Sequence, residues 1–172
     1  MLASLEALDS DLIAKAEAFE ALTKQPACDF TRFAPARLAM TLASRRRATL
    51  LEATIYPTLS LHLPPADVEI VRNLRSDALR NLAFVSGHIG LWDTNRICER
   101  WAEYQAISAQ MMFRLRVRIA NERSALAPLI AKARSADARA VAEAERTMRI
   151  KAEIGRDGRG SSCAFPVREW AA

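Results

Sequence analysis

Glycine, cysteine, histidine and lysine are all scarce in this chain of 172 residues, and each shortage excludes something. Five glycines against abundant alanine, leucine, arginine and glutamate favour helix over sheet. The three cysteines, Cys28, Cys98 and Cys163, are far apart and form no CxxC pair. That argues against a zinc site or a disulfide framework and fits a reducing compartment, so a cytoplasmic location is expected. Each reads as a small apolar filler rather than a reactive thiol. No apolar run approaches the ~20 residues of a bilayer span, so no membrane partner is expected. The N-terminal "MLASLEALDSDLIAKAEAF" carries acids and an amphipathic period, unlike a secretory signal.

What is plentiful is arginine. The net charge of +5 rests almost wholly on it, because the only lysines are Lys15, Lys24, Lys132 and Lys151. Such a balance can attract nucleic acid or anionic surfaces. Here the arginines are interspersed with acids, and the one run, Arg45 to Arg47 in "SRRRA", has no interleaved aromatic or glycine. Nucleic acid is therefore not the expected partner.

With 51% apolar residues the chain can bury a core, and its periodicity is helical. Residues 4 to 23 place Leu5, Leu8, Leu12, Ala16 and Phe19 on one face, up to a break at Pro26. A second helix is predicted after Pro35, with Met40, Ser44, Ala48, Leu51, Ile55 and Leu59 on its stripe. Pro65 suits the first turn of a third helix, whose stripe is Val71, Leu74, Ala78, Leu82, Val85, Ile89 and Trp92. Asp93 or Thr94 can cap a fourth, with Ile97, Trp101, Tyr104, Ser108, Met111, Leu115, Ile119 and Leu126 facing inward. Pro128 is expected to bend or end it. The fold predicted is all-α: an up-down-up-down four-helix bundle over residues 1–131, followed by a C-terminal helix and tail over 132–172. "GRDGRGSS" reads as a flexible turn, and Phe165, Val167 and Trp170 as an apolar tail able to pack back on its own chain or on a second subunit. Trp92, Trp101 and Trp170, with the Ala-rich 131–155, suggest a homodimer.

Two segments echo each other at a 71-residue offset: "RRRATLLEATIYPTL" (45–59) and "RVRIANERSALAPLI" (116–130). Arg45 aligns with Arg116, Arg47 with Arg118, Ile55 with Leu126, Pro57 with Pro128, and Leu59 with Ile130. Pro57 and Pro128 are thereby expected at the same end of the bundle. These helix ends resemble those of the hemerythrin-like (HHE) cation-binding family, in which helices two and four carry His-x-x-x-Glu followed by an apolar run and a proline. "IYPTL" and "LAPLI" match that ending, and "LEALDSDLIAKAEAFEAL" is similar to the family's first helix, with Asp9 or Asp11 near its histidine position. The resemblance covers roughly residues 4–131 and implies a bundle with a metal centre among its helices.

The ligands the resemblance implies are largely missing. Its helix-four pair falls on Arg118 and Glu122, its helix-two pair on Arg47 and Leu51, with Glu52 next along. A guanidinium cannot ligate a cation, being permanently charged with no lone pair to offer. The only histidines, His62 and His88, read as surface or helix-end residues. Charges on a core face must be paired. A buried network of Arg47, Glu52, Arg118 and Glu122 is thus expected where the metal would lie, with no metal or other cofactor. The alternative is a carboxylate-based metal site from Asp9 or Asp11, Glu52, Asp67 and Glu122, serving iron or oxygen handling. No nucleophile–base pair, phosphate loop or nucleotide motif appears. The expectation is a non-catalytic binding or regulatory protein for a small ligand or a protein partner.

Overall fold

A computed structural model describes residues 1–157, and all of its regular structure is helical. The elements are α1 (Leu2–Thr23), α2 (Phe30–Leu50), a π-helical turn (Leu51–Ile55), α3 (Tyr56–His62), α4 (Pro65–Leu91), α5 (Thr94–Glu99) and α6 (Trp101–Asp157). None is long and apolar enough to cross a membrane. The chain divides into two compact units between Arg134 and Ser135. Cys163 and the tail residues Phe165, Val167 and Trp170, with most of the predicted "GRDGRGSS" turn, lie outside the described residues.

In the first unit, α1 buries Leu5, Asp9, Leu12, Ala16, Phe19 and Thr23, steps of four and three that keep one stripe inward. The stripe turns on Asp9 rather than the predicted Leu8, which is only half-buried. α2 begins five residues before Pro35, at Phe30, because the Asp29 side chain accepts from the Arg32 backbone N–H and caps it. Its buried residues are Phe33, Ala43 and Arg47. The predicted Ser44 and Ala48 lie one position off this stripe, and Ala48 is exposed.

The π turn explains how Arg47, Leu51, Ile55 and Leu59 all stay buried. Steps of four drift by roughly 40° each on an α-helix, and a wider turn holds that drift back. It also fits the sequence. Pro57 has no N–H for the carbonyl four residues back and its ring crowds that carbonyl, while the Tyr56 N–H reaches Leu51 O, five residues back. Of the two outcomes expected at Pro128, a bend or an end, α6 does not end there. Leu126, Leu129, Ile130 and Ala133 all sit in one apolar cluster, which fixes the turns on both sides of it.

The interior of this unit is layered. One cluster joins Leu5, Leu51, Ile55, Leu59, Val71 and Leu126. A small middle cluster joins Leu12, Ala43 and Ile119. A third, rich in aromatics, joins Phe19, Phe33, Trp92, Ile97, Tyr104 and Met112. Phe33 is its hub, edge-on to Trp101 and Tyr104 at ring distances of 5.7 and 5.5 Å. Trp92 is buried here, and Trp101 is partly buried and donates its Nε1–H to Gln25 O, so neither offers the free surface expected of a dimer contact. Asp93 caps α5 through the Arg96 N–H, but a break at Arg100 separates α5 from α6.

Candidate functional site

Three charged residues fill the level between Leu5 and Leu12 on α1. Asp9 lies on α1, Arg47 in the last turn of α2, and Glu122 on α6 between Ile119 and Leu126. Arg47 Nε donates to Asp9 Oδ1 at 2.6 Å, and its Nη1 to Glu122 Oε2 at 2.5 Å. Asp9, Arg47 and Glu122 are only 3%, 2% and 3% exposed. Arg118, one helical turn before Glu122, brings its Nε to 3.5 Å from Glu122 Oε1. Two guanidinium groups thus face two carboxylates, and the layer is neutral as a whole.

Charges this deep must be matched, since removing one partner strands the others in a low dielectric. Burial opposes the Arg47 charge, but Glu122 and Asp9 together outweigh it and hold its pKa above the ordinary arginine value. Arg118 is shifted the other way. Burial pushes its pKa down, Glu122 restores only part of that, and the neighbouring Arg47 lowers it again. Buried Asp9 Oδ2, Arg47 Nη2, Arg118 Nε, Tyr56 Oη and Ser108 Oγ complete no hydrogen bond. The Tyr56 hydroxyl is pushed up to about 12 by burial first and Glu122 second.

Of the four residues predicted to form a network, Arg47, Arg118 and Glu122 meet. Glu52 does not. It follows Leu51 on the wide turn, on the half-exposed side, and pairs with Arg75 of α4 at 2.8 Å. Its place is taken by Asp9. Leu51, aligned with a family ligand position, is buried among apolar neighbours. The other acids of the carboxylate-site alternative are also engaged: Asp11 with Lys15 at 3.6 Å and Asp67 with Lys132. Among the described residues, no three His, Cys, Asp or Glu side chains are grouped to hold a metal ion.

Arg118 also lines a cavity of about 170 Å³, walled by Leu12, Met40, Val85, Met112 and Leu115. Arg37, Arg45 and Arg114 line it as well, and among the described residues no aspartate or glutamate does. Arg114 lies over the Phe84 ring at 5.3 Å, and Arg37 donates to Trp92 O at 3.1 Å. His88 is the helix-end residue expected, in the last turn of α4, and is half-buried there. It stacks on Tyr104 at 5.9 Å, and its pKa is lowered by burial and then by Arg37. Sequence reasoning did not find this cavity, although its basic lining was visible as Arg114 and Arg118 one turn apart on α6. Cys28 is half-buried, its thiol pushed up by burial and by neighbouring Cys98. Cys98 is exposed and so not the predicted filler.

Compared with protein-family models, curated proteins and solved structures, the chain finds no match.

Proposed function

We propose that this chain is a non-catalytic binding or regulatory module on an up-down-up-down four-helix bundle related to the hemerythrin-like domains. In place of a metal centre it carries an internal ion cluster. The observation that carries this reading is Arg47, sealed between Asp9 and Glu122 at 2.6 and 2.5 Å, on the face where the resemblance implies ligands. Support for the bundle comes from the apolar clusters. The start of α1, the end of α2, the start of α4 and residues 126–133 of α6 share one cluster, and their opposite ends share another. This sharing of ends supports alternating helix directions, with Pro57 and Pro128 at one end.

The carboxylate-site alternative is disfavoured because each of its acids already faces an arginine or a lysine. Metal analysis of the purified protein tests the choice. Substoichiometric iron, manganese and zinc are expected, with a melting temperature unmoved by chelators, because no metal is linked to folding. Two metal ions per chain with ligands at Glu122 and Asp9 would sink the reading. A homodimer through 131–155 belongs to the same proposal, favoured by exposed Val141, Met148 and Ile150. Light scattering that finds only the 19.1 kDa species would remove it.

A further inference from the structure

We propose that the cavity beside Arg118 binds a single-chain amphipathic carboxylate of medium acyl length. Its headgroup meets Arg118, and its chain runs along α6 beneath α4. The inference rests on the reading of the chain as a metal-free binding module and names the ligand class of that module.

Charge is the first argument. The chain has 25 Lys and Arg against 20 Asp and Glu, and among the described residues Arg47, Arg75, Arg116, Arg123 and Lys132 each pair with an acid from another helix. Four arginines converge on this cavity without an acid among its described lining residues. Arg118 is only loosely held by the ion cluster next to it: Glu122 gives its Oε2 to Arg47, its Oε1 stands 3.5 Å from Arg118 Nε, and that buried nitrogen completes no hydrogen bond. A ligand carboxylate would supply the missing acceptor, and a planar guanidinium suits it geometrically.

Shape is the second. Tyr104 and Arg118 both line the cavity, and their separation along one helix is roughly 21 Å at 1.5 Å per residue. A compact void of ~150 Å³ holds a benzene-sized ring. A cavity of about 170 Å³ whose lining follows α6 from Tyr104 to Arg118 suits an unbranched chain laid along the helix better than a ring system. The third argument is uncovered apolar surface. Leu82, Phe84 and Ile89 of α4 line the cavity yet remain 60%, 48% and 42% exposed. A chain laid against them would cover area that the protein leaves to water.

Calorimetric titration of the full chain with decanoate, decan-1-ol and decylammonium tests this. Decanoate should bind saturably at one per chain, and decylammonium about tenfold more weakly or worse, since it brings a further cation to four arginines. Arg118→Gln should weaken decanoate about tenfold, which is ~1.4 kcal/mol, and leave decan-1-ol within about twofold. Val85→Trp, which fills the cavity, should weaken decanoate and decan-1-ol alike. If Arg118→Gln does not fold, Arg45→Gln at the exposed rim should still weaken decanoate by about threefold. The proposal is overturned by no saturable decanoate binding, by equal affinity for decanoate and decylammonium, or by a folded Arg118→Gln that binds decanoate like wild type. Binding to vesicles of an acidic phospholipid without binding to free decanoate would also overturn it. Metal-free protein that ignores decanoate loses the ligand class only, whereas bound metal at Glu122 removes the reading beneath it.

Discussion

α1 and α4 are long amphipathic helices of 22 and 27 residues, and they use their inward stripes in opposite ways. α1 buries six residues in register, one of them the charged Asp9. α4 offers a longer apolar stripe yet fully buries only Val71. An apolar stripe in sequence therefore measures what a helix could bury, and partners decide what it does bury. α1 has α2 along its length and Ile119 and Leu126 of α6 in its clusters. The second half of α4 has the cavity. A buried charge with a matched partner sits deeper than an unpartnered leucine.

The sharpest way to break this contrast is to remove the charge that lets Asp9 lie inside. Arg47→Met should destabilise by roughly 3 to 5 kcal/mol in urea unfolding, because it strands two buried carboxylates. Adding Asp9→Leu, Glu122→Leu and Arg118→Met to it should recover most of that loss or more, since an apolar layer needs no pairing. A single-mutant loss under about 1 kcal/mol would mean that the layer is hydrated. Next comes a matched pair of truncations. Leu12→Ala, at a fully buried position of α1, should cost roughly 2 to 5 kcal/mol. Leu82→Ala, on the open face of α4, should stay within about 0.5 kcal/mol. Equal losses would show that α4 packs as tightly as α1.

Much of this was legible in the chain. Helix positions, the break at Pro26, the Pro65 start and the Asp93 cap follow from periodicity and punctuation, which act locally. The buried stripe of α1 was misplaced at one step because Leu8 is apolar and Asp9 is not. Only the strict four-three alternation from Leu5 to Thr23 favours Asp9. Likewise Glu52 flanks the same helix stripe as Arg47, which in sequence favours it over Asp9 for the network. Its true orientation depends on the π turn, whose cause, Pro57, is visible but whose geometry is not. The helix after Pro128 continues because tertiary contacts of Leu129, Ile130 and Ala133 override a local breaker. The half-empty face of α4 is a property of the space between helices, on which a single stripe carries no information.

A smaller effect sharpens the contrast from the loose side. Nothing lies within 4 Å of where a Cβ at Gly87 or Gly90 would stand. Gly87→Ala should therefore stabilise by about 0.4 to 1 kcal/mol, through lower unfolded-state entropy and higher helix propensity. A loss on thermal melting would place hidden packing on that face of α4.

The smallest effect at neutral pH belongs to Tyr56, whose ring is buried beside the ion cluster and whose hydroxyl completes no hydrogen bond. An idle buried hydroxyl contributes little, so Tyr56→Phe should change stability by less than about 0.5 kcal/mol at pH 7. At high pH the two proteins should part. Folding raises the Tyr56 pKa from 10.0 to about 12, so the neutral phenol is favoured in the folded state. Its contribution is fully present below pH 10 and is lost as pH rises from there through the folded value, because the unfolded chain ionises first. By pH 11 wild type should have lost roughly 1 kcal/mol that Tyr56→Phe keeps. Paired urea titrations at pH 8 and pH 11 measure the difference directly. Parallel losses in the two proteins would mean that the hydroxyl reaches solvent or a partner, and that the charged layer of α1 is less sealed than its geometry implies.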